Sequence, residues 1–199
     1  MNQTKIDLYR EHRSDYVTPR KPVLVSVGPA RYLAVEGKGP PGGDEFTAQV
    51  AALYGVAFTI KMAKKSAGRD YTVSKLEGLW WGGTDRPPGG KKEVAWQWKL
   101  LIRVPELVTP ADVRQAVAAL AAKGKQATGV MLETLDEGRC VQLLHVGPYT
   151  EEGPTIARMR EFAQAQGVTF RGLHHEIYLS DPRRVAAAKL RTILRQPVS

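Results

Sequence analysis

Two hydrophobic periods alternate along this chain. In VLVSVGPARYLAVEG, Val23 to Gly37, Val23, Val25 and Val27 are separated by Leu24 and Ser26, the period of a half-buried strand. After the loop GKGPPGG, Gly37 to Gly43, the spacing changes. Phe46, Val50, Leu53, Ala57 and Ile60 recur every three or four positions, which places them on one helical stripe. Asp44 is expected to cap that helix, Lys61, Lys64 and Lys65 suit the negative end of its dipole, and Gly68 stops it. YTVSKLEGLWW and EVAWQWKLLIRV are aromatic and β-branched, hence strands, with the loop GGTDRPPGGKKE between them. Thr109, Pro110 and Asp112 open a further helix with Val113, Val117 and Leu120 on its apolar face, and Gly124 ends it.

The second half repeats the order. TGVMLETL and RCVQLLHVG read as strands joined by the turn Asp136-Glu137-Gly138. Thr150 is expected to cap a helix with Glu151 and Glu152 in its first turn, the stripe Ile156, Met159 and Ala163, and a stop at Gly167. HHEIYLS is a strand, SDPRR a turn, and AAKLRTILRQ a short helix leading into a last strand. The predicted fold class is α+β, one domain holding two like modules, about 22–104 and 127–198, with an inserted helix at about 109–123. Each module would cover one sheet face with its helix, and the free faces are expected to form a concavity.

Composition narrows the function classes. A chain of 199 residues buries a core without staples. No run approaches the ~18 apolar residues of a membrane helix, so no membrane partner is expected. MNQTKIDLYREHRSDY lacks the apolar stretch of a signal peptide, so the expected location is the cytoplasm. Cys140 is the single cysteine, which excludes an internal disulfide and reads as a packed thiol. The net charge of +9 comes from scattered residues, among them Arg10, Arg13, Arg20, Lys21, Lys91, Lys92, Arg183 and Arg184. With no recognition motif, no specific nucleic-acid partner is expected. The chain is expected to be a monomer or a weak homodimer.

The candidate chemistry lies in HHEIYLS. Alternation puts His174, Glu176 and Tyr178 on one strand face and His175, Ile177 and Leu179 on the other. Glu176 stands in an apolar segment, where a carboxylate is costly unless paired or protonated. It is either a surface acid paired with Arg171 or Arg183, or the acid of an apolar groove with a raised pKa, suited to general-base work. His174 and His175 point opposite ways and no third ligand has suitable spacing, so no metal is expected. Trp81 and Trp98 are the favoured groove-lining tryptophans, beside Trp80 and Trp96. Tyr71 and Glu77 share the strand face of Trp81, and Tyr149, ahead of a helix start, is placed to close one end. GKGPPGG lacks the Walker pattern, and no Gly-x-Ser-x-Gly elbow occurs.

The segments KLEGLWW, WQWKLLIR, LHVGPYTEEGPTIARM and GLHHEIYLSDPRR resemble the GyrI-like family of gyrase-inhibitory proteins and effector-binding domains of multidrug-responsive regulators. The resemblance runs from about Arg20 to the end. It implies two strand–helix–strand–strand modules of the SHS2 type, related by a pseudo-two-fold, with a ligand groove between them. Residues 1–24 are too short and too polar for a DNA-binding domain, so the chain looks like the stand-alone branch. Some members of that branch resemble cyclopropanoid cyclohydrolases, which open the strained ring of DNA-alkylating natural products with water. The family's acid falls on Glu176. The expected catalytic set is Glu176 with an assisting tyrosine, Tyr178 or Tyr71, or else Tyr149, and Trp81, Trp98, Tyr149, Glu77 and His174 are expected to bind a flat hydrophobic aromatic molecule. No cofactor is implied. The alternative within the same family is a non-catalytic drug-binding, sensing or gyrase-modulating protein.

Overall fold

The computed structural model describes residues 5–82 and 96–199. Most of the loop GGTDRPPGGKKE, with Lys91 and Lys92, lies outside the described residues, as does the start of EVAWQWKLLIRV. Helix α1 (Leu8–Glu11) and a 3-10 turn (Arg13–Tyr16) precede β1 (Val23–Val27) and β2 (Ala30–Lys38). There follow α2 (Asp44–Ser66), β3 (Leu76–Trp81), β4 (Gln97–Arg103), α3 (Pro110–Ala121), β5 (Met131–Leu135) and β6 (Gly138–Val146). A 3-10 turn (Tyr149–Glu151), α4 (Gly153–Ala165), β7 (His174–Tyr178), a last 3-10 turn (Ala187–Lys189) and β8 (Arg191–Pro197) complete the chain. This is the expected α+β fold. The chain divides into two compact units: Met1–Leu8, Arg31–Ser74 and Gly78–Thr134 make the first, and Tyr9–Ala30, Lys75–Glu77 and Leu135–Ser199 the second. The order β2-α2-β3-β4 recurs as β6-α4-β7-β8.

In the first unit the strand order is β3-β4-β2-β5. Strands β2 and β4 run antiparallel, from Tyr32 opposite Arg103 to Lys38 opposite Gln97. Helix α2 buries Leu53, Val56, Ala57 and Ile60 and packs on α3 and β4. Its N-cap is Gly43, not Asp44: the acid is the first helical residue and makes no cap bond, although its charge suits the dipole. Lys61 Nζ lies 3.1 Å from Asp70 and Lys64 Nζ 2.8 Å from Asp112. Asp112 completes the capping box of α3 by accepting from the backbone N–H of Thr109, while Thr109 Oγ1 accepts from the N–H of Asp112. By length and composition α2 meets the requirement of a membrane span, although no unbroken apolar run suggested it, and it exposes Phe58 and Met62.

In the second unit the order is β1-β6-β8-β7, all antiparallel. Three sequence expectations change here. β1, placed by the sequence with the first module, pairs with β6, Val25 opposite Cys140. β5 and β6 follow one another through Asp136 and Glu137 but form no hairpin, because β5 neighbours β2 and β6 lies between β1 and β8. Thr150 does not cap α4 either; it sits in the 3-10 turn, and Glu152 occupies the N-cap position without a side-chain cap bond. Val141, Leu143, Met159, Ala163, Val168, Leu194 and Val198 form a buried cluster under α4. Cys140 is packed away with its thiol 3.6 Å from the Gly138 carbonyl, and burial pushes its pKa up to about 12, which leaves it an inert thiol.

Candidate functional site

β7 keeps the predicted alternation. His175 and Ile177 are fully buried on one face, and His174, Glu176 and Tyr178 occupy the other. The Glu176 side chain is 12% exposed: mostly enclosed, yet within reach of a water molecule. Three groups surround it. The Tyr178 hydroxyl hydrogen-bonds its carboxylate, as two residues on one strand face can. Tyr149 meets the Tyr178 ring edge-on at 5.6 Å. The third, which the sequence reading missed, is Glu152: brought in by the turn ahead of α4, it is 6% exposed and hydrogen-bonds Glu176. In the sequence Glu152 reads as an ordinary acid in the first turn of a helix capped by Thr150, so no local signal marks it.

Two carboxyl groups in contact with little water cannot both ionise cheaply. Burial raises both, and the charge of Glu176 raises Glu152 further. Their mutual hydrogen bond raises Glu152 but lowers Glu176, as does the bond from Tyr178. Both acids are therefore raised, and the pair holds one proton between them. Tyr149 is raised by burial and by these two acids, so it stays a phenol. His174 Nε2 stands 3.9 Å from Glu176 Oε1. The donor atoms of Glu152, His174 and Glu176 lie within 4.8 Å of one another, a set that could hold a cation. The sequence reading found no third ligand because Glu152 comes from a different element.

On the opposite face of β7, His175 is clasped between two acids. Its Nδ1 is 2.9 Å from Glu137 Oε1 and its Nε2 is 3.0 Å from Glu77 Oε2. Arg195 donates to Glu137 at 2.6 Å and to Gln142 at 2.8 Å, and also to the Asp15 carbonyl. Tyr16 donates to Glu77 at 3.2 Å. Although burial opposes it, the two carboxylates hold the His175 pKa up at about 9, and His175 with Arg195 holds Glu137 down at about 2. Glu77 is thus a fully buried counter-ion of His175, not a groove residue.

The remaining predicted residues lie in the first unit. Trp98 is 0% exposed: its ring lies over Gly37, its cross-strand partner, and against Phe46, with Nε1 donating to the Gly39 carbonyl at 3.3 Å. A Cβ on Gly37 would fall 2.1 Å from that ring, so the pair packs as one piece. Trp98 is a core residue and offers no face to a ligand, which corrects the expectation. Trp81 is half-buried at the end of β3, while Trp80 stacks on Phe46. Tyr71 is 1% exposed, outside β3, bridged to Ile6; its phenol is raised by burial and by Asp112 and Asp70. The catalytic role expected for Tyr71 does not suit so enclosed a hydroxyl.

The GyrI-like small molecule binding domain family matches residues 20–199. The chain belongs to this family. A GyrI-like chain is a small-molecule-binding domain. Among solved structures, an uncharacterized conserved protein from Listeria innocua is 38% identical, with a TM-score of 0.89, covering 98% of this chain and 100% of that one. A hydrolase from Listeria innocua is 37% identical over the same shares, with a TM-score of 0.87. The EcmrR C-terminal domain, 11% identical with a TM-score of 0.57 over 90% of this chain and 97% of that one, shares the fold alone. Comparison with curated proteins gave no match.

Proposed function

We propose that this GyrI-like protein is a cofactor-independent hydrolase of flat hydrophobic molecules, with a cyclopropane ring conjugated to a dienone as the bond it opens. The observation that carries the reading is the Glu176 carboxyl group, enclosed, hydrogen-bonded by Tyr178, and paired with the buried Glu152. The likeness to the hydrolase from Listeria innocua supports it.

The chemistry follows from those groups. Glu176 takes a proton from a water molecule as the water oxygen attacks the ring CH₂. The ring C–C bond breaks and its electron pair moves through the conjugated system to the carbonyl oxygen, making a phenolate. Tyr178, or Tyr149 beside it, donates a proton to that oxygen, and the proton held by Glu176 returns to the tyrosine. One water is added and nothing is oxidised. Tyr149, kept a phenol, and Tyr178 serve as donors to the developing charge.

The family's description favours a second reading, a module that binds such molecules without turning them over. Incubating the purified protein with a duocarmycin-type cyclopropane and following the ring-opened product by mass separates the two. Catalytic accumulation of product supports the hydrolase; stoichiometric binding with no product replaces it with the binding module.

A further inference from the structure

The second unit carries a cleft of about 880 Å³ that shares no residue with the Glu152–Glu176 site. Its walls are Leu144, His145 and Val146 of β6, Arg191 at the start of β8, Thr155 and Arg158 of α4, Glu151 of the preceding turn, and Thr18 and Arg20 of the segment leading into β1. Three other arginines of the unit pair with acids, Arg195 with Glu137 and Arg183 and Arg184 with Asp181, while Arg171 donates to the Val198 and Glu137 carbonyls and Arg160 lies over the Phe170 ring. Among the described residues no carboxylate pairs with Arg20, Arg158 or Arg191. Arg158 is oriented by donating one Nη2 proton to the Arg20 carbonyl at 2.9 Å, which leaves its other N–H groups available. His145 is fixed in place: its Nε2 faces the Pro148 carbonyl at 3.2 Å, which can only accept, and its Nδ1 lies 2.9 Å from Thr155 Oγ1.

We propose that this cleft binds a phosphomonoester of nucleotide size. Three guanidinium groups against the single carboxylate of Glu151 leave a local charge of two, which the roughly −1.5 to −2 of a phosphomonoester at pH 7 balances. Guanidinium forks match phosphate oxygens in pairs, which an ammonium cannot do. The cleft is far larger than a bare phosphate and falls within the ~300–1,000 Å³ of small-molecule pockets. Leu144 and the exposed Val146 give it an apolar wall for the neutral part of the ligand. The Glu152–Glu176 site would repel the same anion, so the two sites take ligands of opposite character.

The test is calorimetry on the whole chain with AMP, inorganic phosphate and adenosine. AMP is expected to bind, phosphate more weakly, and adenosine not at all. Arg191→Ala and Arg20→Ala, both exposed positions, are expected to weaken AMP at least tenfold without changing the melting temperature. Glu176→Gln should leave AMP binding intact. Failure of AMP to bind at millimolar concentration, adenosine binding as well as AMP, or undiminished affinity in both arginine variants would each overturn the proposal.

Discussion

Glu152, from the turn ahead of α4, is hydrogen-bonded to Glu176, from β7, so two acids distant in the chain hold one proton between them. This contact sets both the cost and the use of the site. The pair destabilises the fold once both members must ionise, and it keeps a proton beside Glu176.

Glu176→Gln is expected to fold normally and to lose turnover by roughly 10²–10⁴-fold, the range a positioned general base supplies. Product formation measured by mass against a melting curve of the same sample checks both halves. Wild-type turnover by the variant would remove Glu176 from the chemistry.

Glu152→Gln should be more stable than wild type, by an amount that depends on pH. The folded-state pKa of Glu152 is raised above its unfolded value. Wild-type stability is therefore full below the ordinary carboxylate range and declines as pH rises toward the folded pKa. The variant's advantage should be near zero at pH 4 and reach ~1–3 kcal/mol at neutral pH and above, since each tenfold bias toward the acid form is worth about 1.4 kcal/mol. Denaturant titrations at pH 4, 6 and 8 would show it; an advantage independent of pH would mean that Glu152 is ionised in the fold.

The clasped His175 predicts the alkaline limit. Its folded pKa, about 9, is above the ordinary 6.5, so its contribution is complete below pH 6.5 and is lost as pH rises through about 9. Glu137, held at about 2, contributes above the ordinary carboxylate pKa of 4.5 and fails only as pH falls toward 2. Melting temperature should fall between pH 7 and pH 10. Glu137→Ala should cost about 3–5 kcal/mol, because it leaves Arg195 and His175 charged and buried with one counter-ion fewer.

Gly37→Ala should destabilise the first unit by about 1–3 kcal/mol through overpacking against Trp98. Trp98→Phe, by contrast, should leave the affinity for an aromatic ligand unchanged, since the indole is enclosed. A loss of ligand binding in Trp98→Phe with the fold intact would restore it to the site.

Local information determined much of this protein. The capping box of Thr109 and Asp112, the stops at Gly68, Gly124 and Gly167, and the alternation that gives Glu176 and Tyr178 one face all depend on residues within a few positions of each other. Periods of two and 3.6 residues are properties of the backbone, so they can be read from the chain alone. The tertiary structure decided what those elements meet. The pairing of β1 with β6, the separation of β5 from β6, the enclosure of Trp98 over Gly37 and the burial of Glu77 against His175 are contacts between distant segments, chosen by packing and charge pairing. The sequence marks Glu176 as an unusual acid in an apolar strand. Only the fold, by bringing the start of α4 against β7, makes it one half of a pair that shares a proton.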